Sequence, residues 1–494
     1  MMNVLFASAE AAPFAKVGGL ADVVGSLPQA LRRLDVDARV IMPFYGAIDT
    51  EKHQIVPYFS FEFSRPVGTA NVQVYTTTSD GVPFYFVQAW PHFHPGDRNI
   101  YTTWDWDVPR FIFFCQVAMA VAWELRVREG WFPDVWNVND WHTALLPFLI
   151  DFSRYNPEWK DVGVVLTVHN AGEQYQGQSV GGWLWELGVP ARTDPNLVYY
   201  DLTDNTLGIG IAYSDYIVPV SPRYATEIHY PNISGRLAGL VHARTHAVQG
   251  ILNGLDVKTW NPETDPLLVS NYNAENFREK RPPNKAQLQE DAGLEVRADV
   301  PVIGIVSRLV QQKGYDLALP ALRRLLVSTD VQLVVLGSGE QELEHGFWRL
   351  GQDFSWRAKV YQGYNAALAQ RIYAGSDIFL MPSHYEPCGI GQMIAMRYGS
   401  LPLVRETGGL ADTVENYDNG PADHGTGFVF SWEEPEAVLN TLRWAIDTYR
   451  NRPDAWVRMQ KRGMERDFSW DSSAQRYLAL YQETISKRKG TVQS

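Results

Sequence analysis

A chain of 494 residues, 45% apolar and 20% charged, is a folded globular protein too long for one ordinary core, and it excludes disordered and fibrous classes. Its formal net charge of -13 argues against nucleic acid or an anionic membrane as partner, so a phosphate-bearing ligand must be held by local Lys, Arg or backbone amides. Two cysteines, Cys115 and Cys388, make neither a disulfide framework nor a metal cluster, and they point to a reducing compartment.

The chain opens on the strand-like run NVLFASAE, with no charged leader before it and no apolar run of membrane-spanning length after it. A cytoplasmic protein without membrane contact is expected. KVGGLADVV follows at residues 16 to 24. There Gly18 and Gly19, between a strand and a helix, let backbone approach an anion at the helix N-terminus, and Lys16 adds charge. A tight strand-to-helix turn explains the same glycines, and the local pattern leaves both readings open. The next helix sets Val23, Val24, Leu27, Leu31 and Leu34 on one face, with a kink expected at Pro28. The runs DARVIMPF, DVWNVND, VGVVLTVHN and DYIVPVS then alternate with helical patterns, the rhythm of parallel βα units. DWD at 105 to 107 has the spacing of a metal-binding acidic pair, but a helical pattern starts near Pro109 and Asp107 is expected to N-cap it. HFH at 92 to 94 is a weaker signal of the same kind. Aromatic residues from Trp90 to Trp141 suit either sugar stacking or core packing. The turn-rich NGLDVKTWNPETDP puts a domain boundary near residues 250 to 260.

The second half repeats the rhythm in PVIGIVS, VQLVVLGSGE, KVYQG and DIFLMPS. In SRLVQQKGYDL, Arg308 and Lys313 lie on the loop directly after a strand, where open parallel sheets bind ligands, and two cations there suit a diphosphate. In MPSHYEPCGIGQMIAMRYG, Glu386 precedes a helix whose first amides are left open by Gly389 and Gly391, while Met393, Ile394 and Met396 read as core. TGGLADTV then repeats GGLAD without a cation matching Lys16, so Gly408 and Gly409 serve either ligand approach or a simple turn.

These segments, with ASAEAAPFAKVGGLADVVGSLPQAL, NDWHTALLP, LTVHN, VSPRYATEI, GILNGLDVKTWNPETDP, NKAQLQEDAGL and LGSGEQELE, resemble the bacterial glycogen synthase and plant starch synthase family over nearly the whole chain. Members move glucose from a nucleotide diphosphate sugar onto a growing α-1,4-glucan. The resemblance implies two Rossmann-like α/β domains facing a central cleft, the GT-B architecture. They would cover 1–252 on the acceptor side and 253–465 on the nucleotide-sugar side, with 466–494 a helix crossing back. It also implies ADP-glucose as donor, an α-glucan as acceptor, retention of configuration, and no cofactor or metal. It says nothing of oligomeric state.

Carried over residue by residue, Lys16 and Gly19 with Arg308 and Lys313 resemble the diphosphate ligands, with Gly18 in the same turn. Glu386 and the backbone of Cys388 and Gly389 are similar to the glucose-hydroxyl site, the amides near Ile390 and Gly391 would face phosphate, and Tyr364 would stack on adenine. His169 and Asp140 would line the reacting face, with Asn170, Asn253 and Asp22 nearby. The chain departs from the family in HNAGEQYQG, which is longer than usual, in Gly208, where relatives carry Lys, and in His384, where they carry Arg. Rival readings are a glucosyltransferase with another acceptor and a weak glucan-binding homologue. Lys16, Arg308, Lys313 and Glu386 together favour an enzyme.

Overall fold

The computed structural model describes residues 1–180, 182–418, 420 and 423–490. It divides into two units, one running from Met1 to Gly254 and joined by the segment from Trp470 onward, the other Leu255–Ser469.

The first unit is built on eight strands: β1 (Met2–Ala7), β2 (Val36–Pro43), β3 (Val56–Arg65), β4 (Gly68–Ser79), β5 (Val82–Ala89), β6 (Val135–Asn139), β7 (Gly163–Val168) and β8 (Tyr216–Pro219). Their order is β3-β4-β5-β2-β1-β6-β7-β8. From β5 to β8 neighbours are parallel. The central β6 and β7 are buried throughout, which is why they read as continuous apolar runs. The β3-β4-β5 meander is antiparallel, and the expectation of parallel units alone misses it. In β3 only Phe59 is buried, and half-buried residues alternate with exposed ones after it, so the strand carries too short an apolar run to stand out.

Helix α1 (Gly19–Arg32) continues as one helix through Pro28 and buries Leu20, Val23, Val24, Leu27 and Leu31. Helix α2 (Trp104–Glu129) starts earlier than the sequence suggests, with Thr103 as N-cap, which corrects the expected role of Asp107. That carboxylate sits inside the first turns, accepts from Thr102 N at 3.0 Å and Thr102 Oγ1 at 2.8 Å, and pairs with Arg110 at 2.9 Å. So committed, Asp107 is not available as half of a metal-binding DWD pair. Contrary to expectation, α2 is also long and apolar enough to cross a membrane, but 67% of its most apolar window is buried, with Phe111, Phe113, Phe114, Val117 and Val121 in the core. The C-terminal helix Trp470–Arg488 packs into this unit. Asn137 Nδ2 donates to Tyr481 Oη at 3.0 Å, Arg488 pairs with Asp215 at 2.6 Å, and Gly163 leaves room for Thr484.

The second unit has β9 (Val302–Leu309), β10 (Gln332–Gly339), β11 (Ala358–Gln362), β12 (Ile378–Met381), β13 (Leu401–Arg405) and β14 (Phe428–Phe430), in the order β11-β10-β9-β12-β13-β14 and all parallel. Helix α3 (Tyr315–Ser328) follows β9, α4 (Gly391–Arg397) follows β12 and α5 (Gly408–Thr413) follows β13. In each sheet the strand order reverses beside its first parallel strand. From β9 the chain steps out to β10 and β11 before returning to β12, and from β1 it steps out through β2 before returning to β6. Loops leaving the carboxyl ends of the two strands at such a reversal diverge and open a crevice, where ligands of open α/β sheets bind.

Candidate active site

In the first unit the loops after β1 and β6 leave that reversal. Asp140 follows β6 with φ at 54°, a left-handed conformation that Asp tolerates better than most residues. Its Oδ1 accepts from His169 N at 2.7 Å and Asn170 N at 3.3 Å. Burial pushes its pKa up to about 7, against the two amides, and the nearby Glu10 carboxylate adds to the rise.

His169 ends β7's run, its Nε2 3.0 Å from Asn139 Oδ1. Asn139 Nδ2 donates to the carbonyl of Ala7 at 3.1 Å. That carbonyl can only accept, so the oxygen of Asn139 faces the histidine, and the imidazole carries its proton on Nε2. Burial pulls the pKa of His169 down to about 3, leaving it neutral with Nδ1 as an acceptor. Asn170 Oδ1 accepts from Gly172 N at 2.9 Å. Asn253 is buried, and its Oδ1 has no hydrogen-bond partner among the described residues.

The first glycine pair differs from expectation. Glu10, buried at the end of the opening run, accepts from Val17 N at 2.6 Å, Gly18 N at 2.9 Å and Tyr101 Oη at 2.5 Å. The amide of Gly18 is therefore taken by the chain's own carboxylate, which leaves the first amides of α1, from Gly19 on, beyond the reach of any i−4 carbonyl. A Cβ on Gly18 would meet nothing within 4 Å, so this turn is open. Lys16 pairs with Asp22 at 2.6 Å, their side chains 51% and 38% exposed. So exposed a pair is worth little and yields readily to a ligand anion.

In the second unit Arg308 is the penultimate residue of β9, exposed, and its side chain has no hydrogen bond or ion pair among the described residues. Gly314, at φ 70°, carries the next loop so close to the end of β12 that a Cβ would lie 2.0 Å from Pro382 O. This approach brings Lys313 Nζ to 2.6 Å from Glu386 Oε2, which also accepts from Ser383 Oγ at 3.0 Å. The two residues expected to serve different parts of the donor are thus bonded to each other. An ammonium has three N–H groups and can hold a carboxylate and a phosphate together. Cys388 is buried, Gly389 sits at φ 71°, and Ile390 caps the seven-residue α4, which begins at Gly391 and offers a few amides more than a long dipole. Tyr364, in the loop after β11, is 88% exposed and makes no ring contact among the described residues.

Residues 3–243 match the family described as starch synthase catalytic domain, and residues 287–462 match glycosyl transferases group 1. Glycogen synthase of Streptococcus sanguinis (strain SK36) is 41% identical over 490 residues, covering 98% of this chain and all (100%) of that one. Glycogen synthase of Streptococcus pneumoniae (strain 70585) is 41% identical over 497 residues with the same coverage. The chain belongs to the glycogen and starch synthase family. It is a glycosyltransferase, and the resemblance read from its motifs holds along its length. The catalytic domain of Starch Synthase IV from Arabidopsis thaliana, bound to ADP and acarbose, superposes with a TM-score of 0.85 at 32% identity, covering 98% of this chain and 99% of that one. Sucrose-phosphate synthase from Thermosynechococcus elongatus, at 16% identity and a TM-score of 0.60 over 99% of this chain and 100% of that one, shares the fold alone.

In this member of the synthase family Gly408 of the second GGLAD sits at φ 42°, which fits the turn reading, and the glycine pair has a further use. A Cβ on Gly408 would stand 1.9 Å from Glu386 O and one on Gly409 1.9 Å from Cys388 O, while Gly409 N donates to Glu386 O at 3.1 Å. The pair is a seat for the backbone of the Glu386 loop. Gln392 closes the seat, its Nε2 donating to Cys388 O at 3.1 Å, Gly389 O at 2.9 Å and Thr413 Oγ1 at 3.0 Å. One copy of GGLAD opens a turn and the other holds a loop.

The family departures have local explanations. The longer loop after His169 is anchored by Gln176, whose Nε2 donates to Ala171 O and Ser234 O, each at 2.9 Å. A Cβ on Gly208 would already meet Leu202, Asn205 and Leu237, each at 3.3 Å, so a lysine could not be accommodated there without displacing its neighbours. Sequence reasoning missed Glu10, Tyr101, Asn139 and Gln392. For Glu10 a signal existed, an acidic residue three positions beyond the first strand, but not the partner that gives it meaning.

Proposed function

We propose that this synthase transfers glucose from ADP-glucose to the non-reducing end of an α-1,4-glucan with retention of configuration and without a metal. The observation that carries the reading is the second unit's crevice, with Arg308, unpaired among the described residues, near the end of β9 and a Lys313–Glu386 pair on the loops that follow β9 and β12. Cations there suit a departing diphosphate and a buried carboxylate suits sugar hydroxyls. The ADP bound to the Arabidopsis relative supports an adenine donor.

In the reaction the bond from glucose C1 to the diphosphate oxygen breaks, and the negative charge left on ADP is stabilised by Arg308 and Lys313. The acceptor O4 bonds to C1 on the same face. His169, with its pKa near 3, is too weak a base to take the O4 proton. The proton passes to the departing phosphate oxygen, and His169 Nδ1 positions the acceptor as a hydrogen-bond acceptor. Ionised Asp140 stabilises the positive charge that builds on the sugar.

Two measurements test this reading. The enzyme should prefer ADP-glucose to UDP-glucose, because an exposed Tyr364 ring offers a purine more stacking area, worth about 1 kcal/mol or several-fold in kcat/KM. Tyr364→Ala should therefore weaken ADP-glucose use more than UDP-glucose use, and an equal proportional loss would remove Tyr364 from base choice. Activity should also survive exhaustive chelation, since side chains and amides supply the positive charge. Loss with EDTA, restored by magnesium or manganese, would contradict the metal-free route.

A further inference from the structure

His384 stands where three segments of the second unit meet. Its Nε2 lies 2.9 and 3.1 Å from the two carboxylate oxygens of Asp316, in the first turn of α3. Its Nδ1 lies 3.1 Å from Glu433 Oε2, just beyond β14. The backbone N–H of His384 donates to Gln312 O at 2.9 Å, and its carbonyl accepts from Arg405 Nη2. Arg405, closing β13, also donates to Ser383 O at 2.8 Å and pairs with Glu433 at 3.0 Å. One residue beyond Gln312 and two beyond His384, Lys313 and Glu386 meet.

A neutral imidazole has a single N–H. It can donate to Asp316 or to Glu433, and the other carboxylate then faces a ring lone pair. Only the imidazolium satisfies both arms, and histidine is the side chain whose charge changes over the ordinary assay range. The charged groups facing the ring are Asp316 from α3 and Glu433 from beyond β14, with Arg405 of β13 behind Glu433. Lys313 and Glu386 on the adjoining loops face each other.

We propose that His384 is a positioning residue for the donor: as an imidazolium it pins the Lys313 loop to the Glu386 loop, and its deprotonation frees one arm and weakens ADP-glucose binding. This rests on the reading that Lys313 and Glu386 hold the donor. A second consequence separates it from a merely structural role. Replacement by arginine, whose guanidinium stays charged and can engage two carboxylates, should keep the pin closed at every pH.

The test is the Kd of ADP-glucose by equilibrium titration at constant ionic strength, for wild type, His384→Arg and His384→Gln, each checked for an unchanged melting profile at neutral pH, and for Lys313→Ala, titrated well below its lowered melting temperature. For wild type the Kd should rise about fivefold from about pH 6 to about pH 9, the size expected of one partly exposed charge-assisted contact. His384→Arg should bind with a flat pH profile, and His384→Gln should bind as weakly at acid pH as wild type does at alkaline pH. A wild-type pH curve in His384→Arg, or wild-type affinity at acid pH in His384→Gln, would overturn the proposal. If Lys313→Ala binds as wild type does, the donor reading falls and takes the role of His384 with it. If Lys313→Ala loses binding while His384→Gln keeps it, the role of His384 alone falls.

Discussion

Arg308→Ala is expected to lower kcat by about a hundredfold or more, the scale seen when one charge-stabilising donor is removed from a preorganised site. The same variant should melt where the wild type does. Arg308 is exposed and makes no side-chain bond among the described residues, so folding loses nothing with it. Lys313→Ala should cost a similar factor in kcat and destabilise the protein as well. Its loss strands the Glu386 carboxylate, whose side chain is only 7% exposed, and removing one partner of a buried pair costs about 3 kcal/mol. Steady-state kinetics and thermal melts on both variants separate the effects. Near-normal turnover in both would remove the diphosphate assignment.

Asp140→Asn should pull activity and stability in opposite directions. The unfolded carboxyl titrates near the ordinary aspartate value of 3.8, and the folded one near 7. Between those values the native state holds a proton the unfolded state lacks, so the stability the group contributes is whole below the lower value and lost as pH rises through the upper one. Asparagine keeps the carbonyl that accepts from His169 and Asn170, tolerates the left-handed backbone and cannot ionise. Melts should therefore show the variant more stable than wild type by a few degrees above neutrality and indistinguishable at acid pH. Turnover should fall by about a hundredfold, because the ionised form offsets positive charge on the sugar. The wild-type kcat should rise with pH through about 7, and the variant should lose that limb. An unchanged limb in the variant would assign it to another group.

Much of this was legible in the sequence because parallel strands buried on both faces leave continuous apolar runs. VGVVLTVHN and DIFLMPS announce β7 and β12, and the residues just after such runs are where open sheets bind ligands. Lys313 and Glu386 follow such runs, whereas Arg308 stands inside β9, one residue before its end. Partners distant in the chain were not legible. The second GGLAD says that two positions lack side chains, but only the fold shows that the carbonyls of Glu386 and Cys388 occupy the space. Glu10 reads as one more acidic residue until Val17, Gly18 and Tyr101 converge on it. The early start of α2 was masked by Pro109, which reads as a first-turn residue but stands inside the helix.

The product distinguishes extension of an α-1,4-glucan from every other use of the donor. The enzyme is incubated with ADP-glucose labelled in its glucose and with a defined linear α-1,4-oligosaccharide, and ADP release, chain length and linkage are followed together by chromatography and NMR. Glucan synthesis requires one ADP released per glucose added, chains longer by single units, and every new linkage α-1,4 at the non-reducing end. ADP release with free glucose as the only sugar product, or a new linkage of β configuration, would contradict it.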